Sequence, residues 1–184
     1  MKFSKFAFDG AFKIEFQKFQ DTRGSFFELF KDYEFKKNIK FKFVQDNISV
    51  SKKNTLRGIH YQYKNPQGHL VTIIQGKIFD IGVDLRKKSK TFGKYASIIL
   101  DDSNTTGVFW PPGVAHGFLA LSSKNIISYK CTNYYSSKYE KGIKYNDEIL
   151  KIKWPINKNN INISSKDLNN YDFLTVKQKY LPRL

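Results

Sequence analysis

Residues 69–85 read HLVTIIQGKIFDIGVDL, two β-branched apolar runs on either side of the turn signal Gln75-Gly76-Lys77. Short apolar runs bounded by turn residues read as strands, so this stretch predicts two strands joined by a tight turn. The habit repeats outward in FAFDGAFKIEF at 6–16, YASIILDD at 95–102 and IISYKCTNYY at 126–135. Turn signals separate them at NPQG (65–68), DDSN (101–104) and PPG (111–113). Short strands at such spacing argue for an antiparallel sandwich or barrel. Helical periodicity is scarce. LFKDYEFKKNIK (29–40) predicts one short helix after Asp32, and SSKDLNNYDFL, from Ser164, opens with an N-cap before a helix or loop tail. Without internal repeats, heptads or a low-complexity linker, residues 1–184 read as a single domain.

Composition narrows the function classes. One cysteine, Cys131, excludes an internal disulfide and a thiolate zinc site, which suits a reducing cytoplasm. MKFSKFAFDGAF has no continuous apolar h-region, and no later run approaches the roughly 20 apolar residues that cross a bilayer. The expectation is a soluble cytoplasmic protein without a membrane partner. Lys and Arg number 32 against 16 Asp and Glu, a net charge of +16 that invites a nucleic-acid partner. Yet the lysines are dispersed, with short runs such as RKKSK at 86–90, and Lys, Asn, Ile and Phe are all heavily used. That pattern reads as a solvated basic surface and not a nucleic-acid interface. Its field would still attract anionic small molecules.

Chemistry concentrates in two segments, LRGIHYQYKNPQGHL (56–70) and FWPPGVAHGFLAL (109–121), that hold all three histidines. In LRGIHYQ (56–62), strand alternation puts Arg57, Ile59 and Tyr61 on one face and Gly58, His60 and Gln62 on the other. His69 follows in PQGHL. In FWPPGVAHGFLAL (109–121), a rigid Pro-Pro-Gly turn delivers His116 into an apolar strand, as at a barrel mouth.

The P-x-G-x-x-H pattern of PPGVAH resembles the second motif of cupins, small double-stranded β-helix (jelly-roll) barrels. The whole chain resembles the dTDP-4-dehydrorhamnose 3,5-epimerase family. Matching segments run in order: DTRGSFFELF (21–30), FVQDNIS (43–49), TLRGIHYQ (55–62), GKIFDIGVDLRKKSKTFGKY (76–95), FWPPGVAHGFLAL, YKCTNYY (129–135), GIKYNDEILKIKWP (142–155) and ISSKD (163–167). The resemblance implies an all-β jelly-roll barrel with N-terminal strands and a few short helices. It also implies a cofactor-independent epimerase, feeding cell-surface polysaccharide synthesis, that inverts C3, C5 or both of a nucleotide-diphosphate 4-keto-6-deoxy sugar. Inverting a carbon beside a ketone needs a base, an acid facing it and an oxyanion stabiliser.

By the same resemblance His60 is the base, Asp167 orients its ring, and Tyr129 is the acid, a phenol being protonated near pH 7. Arg23, Phe26, Glu28, Gln45 and Asn47 resemble residues that approach the nucleotide and its phosphates. Arg57 resembles a diphosphate and sugar contact, Tyr135 a ring near the base, and His116 with Asp80 a second polar pair near the sugar. The family further implies a homodimer, the segment from Arg23 to Glu28 reaching the partner's site. For the residues alone, other roles stay open: Asp167 as a first-turn carboxylate beside Ser164 and Ser165, Tyr129 as packing, His116 and Asp80 as structure.

One departure matters. The family has Gln-x-Lys-Leu where this chain has PQGHL, so His69 replaces a lysine that holds the enolate oxygen, and the loop before it is one residue shorter. A histidine can donate to an oxyanion without being a permanent charge. A GDP-linked 4-keto-6-deoxyheptose therefore stands beside the dTDP-linked hexose as a substrate. Tyr145 and Glu148, where the family commonly has Trp and Pro, fall outside the expected site. Where metal-binding cupins have H-x-H, this chain has His60-Tyr61-Gln62, so a metal-free enzyme is expected. Gln62 also argues against 3,4-ketoisomerases of the same sugars, which favour a histidine there. A noncatalytic basic barrel that binds single-stranded nucleic acid is the rival from another class.

Overall fold

The computed structural model describes residues 1–157 and 160–184. The chain opens with β1 (Lys2–Lys5), β2 (Phe12–Glu15) and a hairpin of β3 (Lys18–Asp21) and β4 (Gly24–Phe27), followed by helix α1 (Asp32–Asn38). A run of strands follows: β5 (Gln45–Lys52), β6 (Thr55–Gln62), β7 (His69–Gln75), β8 (Lys77–Asp84), β9 (Tyr95–Asp101), β10 (Thr106–Trp110), β11 (Val114–Ala120), β12 (Lys124–Cys131) and β13 (Glu140–Gly142). The described elements close with β14 (Asn162–Ile163), α2 (Ser165–Leu168) and α3 (Phe173–Lys179). Strands β2, β6–β9, β11 and β12, the turn at Gly76 and the helix after Asp32 fall where the sequence predicts them; the first half of the run at 6–16 is a turn, and β1, β3–β5, β10, β13 and β14 are strands the sequence reading did not mark.

Two sheets face each other. One runs β1-β2-β10-β7-β12-β5, the other β13-β6-β11-β8-β9, with β14 beside β6. Val71, Ile73, Ile78, Leu100, Val108 and Trp110 pack between them at one end. Each central strand changes character along its inward face. On β7 His69 precedes Val71 and Ile73, on β11 His116 precedes Phe118 and Ala120, and on β12 Ile127 leads to Tyr129. One end of the sandwich is therefore a sealed apolar core and the other an open polar mouth. The outer faces are covered separately. Phe35 and Ile39, in and just after α1, pack with Leu70 and Phe109, while Phe173 and Val176 of α3 pack with Ile59, Ile81 and Val83.

Strand β6 departs from simple alternation where it crosses β11. His60 pairs with His116 and Arg57 with Phe118, so three steps on β6 match two on β11. This one-residue bulge turns Arg57 toward the mouth, on the side His60 occupies. The sequence-based placement of Arg57 on the opposite face is thereby corrected. Two glycines allow the close crossing: a Cβ on Gly58 (φ +116°) would lie 2.6 Å from Gly117 Cα and 2.7 Å from the His116 carbonyl.

The C-terminal segment solves a problem of distance along the chain. β14 runs parallel to the start of β6, pairing Ile163 with Leu56, and hands directly to α2. The Ser164 hydroxyl caps that helix by accepting from the Asp167 N–H. Asp167 sits in the first turn and is buried against β6.

Candidate active site

The polar mouth is a cavity of ≈ 450 Å³. His60 comes from one sheet and Tyr129 from the other, so imidazole and phenol lie on opposing walls. His60 Nε2 lies 2.7 Å from Asp167 Oδ1, and Asp167 Oδ2 accepts from the Gly58 N–H at 3.2 Å. Burial works against the charged form of Asp167, but the His60 bond and charge, the Gly58 N–H and Lys166 hold its pKa below the usual carboxylate value. With Asp167 ionised, Nε2 carries the ring proton and Nδ1 is left as the basic atom.

Tyr129 is shifted the other way. Burial, with Cys131 and Glu140 nearby and Arg57 opposing, raises its pKa, so the phenol stays protonated well above neutrality. The other two histidines stand one on each wall, His116 on β11 beside His60 and His69 on β7 beside the Tyr129 strand. His116 Nε2 is 2.7 Å from the buried Asp80, whose second oxygen accepts from Trp110 Nε1 at 2.7 Å. This pair ties the mouth to the apolar core. The His69 ring lies 5.4 Å from that of His116 and 6.5 Å, edge-on, from that of Tyr129. Burial, then His116 and His60, push the His69 pKa down to about 3, so it is a neutral imidazole. Its Nδ1 is buried without a hydrogen-bond partner among the described residues. An orphan lone pair is better tolerated than an orphan N–H, which puts the proton on Nε2.

The rim comes largely from β5. Gln45 Nε2 donates to Asn47 Oδ1 at 3.0 Å, while its Oε1 accepts the Tyr135 N–H at 2.8 Å. Asn47 and Gln45 line the cavity with Arg57 and Tyr135. Arg57 Nε donates to Ser51 Oγ at 3.2 Å, which leaves the rest of the guanidinium to the cavity. Gln62, expected beside His60, lines the wall with its amide committed to Asn65, Tyr134 and Ser136 backbone groups. Arg23, Phe26 and Glu28 do not line this cavity. Arg23 is an exposed partner of Asp21, Glu28 pairs with Lys31, and Phe26 packs against Phe19 on the exposed β3–β4 hairpin.

Two charged residues of the cavity escaped the sequence. Glu140 accepts from the Tyr135 hydroxyl at 2.9 Å, and its other oxygen lies 3.8 Å from His60 Nδ1. Lys166 forms an ion pair with Glu140. In YEKG, a glutamate among lysines reads as surface charge, and only the pairing of β13 with β6 reveals its place. Among the described residues, no cluster of three His, Cys, Asp or Glu side chains is disposed to hold a metal ion, and no helix is long and apolar enough to cross a membrane.

A two-sheet sandwich, sealed at one end and carrying acid–base side chains on facing walls at the other, is a cupin-like fold built for proton transfer to a small polar ligand. Residues 5–174 match the family described as dTDP-4-dehydrorhamnose 3,5-epimerase. The chain belongs to that family. A dTDP-4-dehydrorhamnose 3,5-epimerase from Methanothermobacter thermautotrophicus is 45% identical over 170 residues, covering 91% of this chain and 92% of the relative. One from Salmonella typhimurium is 46% identical over 145 residues, covering 77% and 79%. Among solved structures, a dTDP-6-deoxy-D-glucose-3,5-epimerase from Legionella pneumophila, in complex with dTDP-4-keto-L-rhamnose, superposes with a TM-score of 0.94. It is 37% identical, covering 100% of this chain and 98% of that one.

Proposed function

We propose that this protein epimerises a dTDP-linked 4-keto-6-deoxyhexose at C3, C5 or both. The observation that carries the reading is the Asp167-held His60 on one sheet opposite the protonated Tyr129 on the other. His60 Nδ1 removes the proton beside the ketone, and the electron pair passes into the carbonyl to give an enolate. Tyr129 returns a proton from the opposite face. The enolate oxygen is held by neutral donors, chiefly His69 Nε2–H, in place of the family's lysine. A neutral imidazole can polarise a carbonyl in this way. His116, fixed by Asp80, contacts the sugar. Arg57 takes the diphosphate, while Gln45, Asn47 and Tyr135 form the nucleotide side. The reaction calls on no metal or cofactor.

Kinship with dTDP-sugar epimerases favours the hexose over a GDP-heptose. The occupied amide of Gln62 gives no support to a ketoisomerase. A role in nucleic-acid binding has no support beyond net charge. The reading places the enzyme in the reducing cytoplasm, in keeping with its one buried thiol.

The working form is a homodimer. Among the described residues β5 is an unpaired sheet edge with Ile48 and Val50 exposed, and the β3–β4 hairpin presents Phe19 and Phe26 away from its own core. A second copy covering these surfaces would bring Arg23, Phe26 and Glu28 to the neighbouring mouth. The decisive experiment is NMR in deuterated water with dTDP- and GDP-linked 4-keto-6-deoxy sugars. Deuterium entering C3 or C5 with the dTDP sugar, abolished in His60→Asn with the fold intact, is the expected result. Undiminished exchange in His60→Asn would discard the base assignment, and silence with every sugar would discard the epimerase.

A further inference from the structure

His60 is flanked by carboxylates on both ring nitrogens. Asp167 holds Nε2, while Glu140 Oε1 faces Nδ1 at 3.8 Å with its side chain only 13% exposed. The two carboxylates differ in what else they reach. Asp167 lines the main cavity alone. Glu140, with His60 and Lys166, also lines a second cavity of ≈ 280 Å³ bounded by Lys141, Gly142, Asn169, Asn170 and Tyr171. Asn169 and Tyr171 are exposed, so this second cavity meets solvent. Glu140 thus stands in the wall between substrate and water.

We infer that Glu140 is the proton carrier that resets His60 after each turnover, through the second cavity. The inference rests on the epimerase reading. When the C–H bond breaks, His60 Nδ1 gains a proton, and when the Tyr129 O–H bond breaks, the opposite face of the carbon gains one. The enzyme is left holding an imidazolium and a phenolate. To act again, Nδ1–H must pass its proton to Glu140 Oε1, which releases it to water, and a water-derived proton must return to Tyr129. Protons balance: one leaves and one arrives. While the product still occupies the main mouth it would stand between bulk water and Nδ1 on that side, and the second cavity is the route left. The 3.8 Å gap is longer than a hydrogen bond and would close with a small rotation of Glu140. Tyr135 and Lys166 hold its other oxygen and aim Oε1 at the ring.

The test is pre-steady-state epimerisation of a dTDP-linked 4-keto-6-deoxyhexose by Glu140→Gln, with wild type alongside. The expected trace is a first turnover close to the wild-type rate, one equivalent per site, followed by steady turnover slower by about tenfold or more. Millimolar formate, a small carboxylate able to enter the second cavity, should restore steady turnover in Glu140→Ala. That rescue requires a folded site, so it decides the matter even where the Gln variant misfolds. Equal loss of first and later turnovers, no loss at all, or failure of formate to rescue would overturn the inference while active wild type keeps the epimerase reading. Silent wild type would overturn both.

Discussion

Asp167→Asn tests the arrangement around His60 most directly, because asparagine preserves shape while removing charge and one acceptor. The carboxylate receives two N–H groups, His60 Nε2–H at 2.7 Å and Gly58 N–H at 3.2 Å. An amide has one oxygen and one NH₂. If the oxygen turns to Gly58, the NH₂ faces Nε2, which must then carry the lone pair, and the ring proton moves to Nδ1 and blocks the base. If the oxygen turns to His60, the NH₂ confronts the Gly58 N–H, two donors face to face in a buried site. The second arrangement leaves a donor unsatisfied, at about 1–3 kcal/mol, and both lose a charge-assisted bond to the imidazolium, about 1.5–3 kcal/mol. The sum is about 4 kcal/mol, or about a thousandfold in rate. The same exchange in the Ser-His-Asp triad lowers kcat by about 10⁴, for the same reason of tautomer. The assay is steady-state epimerisation followed by NMR, with circular dichroism as the fold control. The loss should fall on kcat with little change in KM, since Asp167 acts through the ring and not on the sugar. A folded variant within about tenfold of wild-type kcat would refute the reasoning.

Four further outcomes are expected. Gly82→Ala places a methyl 2.6 Å from Trp110 Cε3 in the sealed core and should cost about 2 kcal/mol, a fall in Tm of roughly 5 °C by calorimetry. Burial opposes the charge on Asp84, but Arg86, Ser89 and Thr91 hold its pKa down at about 2. Because the folded value lies below the unfolded one, that stabilisation is whole above about pH 4 and is lost as the pH falls towards 2. Asp84→Asn should therefore flatten the acid limb of the stability curve in urea titrations. Ile48→Lys combined with Val50→Lys should yield a monomer by light scattering at micromolar concentration; an unchanged dimer would move the interface elsewhere. Exhaustive chelation should leave turnover unchanged, with metal analysis far below one equivalent per chain.

How much of this was legible in the residues depends on the range of the interaction. Strands β2, β6–β9, β11 and β12 and their turns were, because alternation and Gly-Pro punctuation act within a few residues, and PPG before His116 marked a mouth residue by local stiffness; the polar β3–β4 hairpin and edge strand β5 were not, because they carry no apolar run. The pairing of Asp167 with His60 was not, since it spans 107 residues and depends on β14 lying beside β6; only family resemblance supplied it. Arg57 was misplaced because alternation presumes an unbroken pleat, and the bulge that re-aims it comes from the crossing with β11. Glu140 was missed because a carboxylate between lysines has an ordinary surface explanation. Helix α3 lay within a tail read as helix or loop, where its Asp172 cap, bonded to the Thr175 N–H, was hidden among other polar residues.

Gly58 and Gly117 carry a consequence for heredity. Neither has a side chain, yet each stands where β6 and β11 cross most closely, beside the His60–His116 pair: a Cβ on Gly117 would lie 2.9 Å from the Arg57 carbonyl, as one on Gly58 would strike Gly117. A codon change to alanine at either site would leave every acid, base and binding group intact in the gene while separating the strands that hold them in register. Such alleles would behave as nulls, though an inventory of functional side chains would score them as silent.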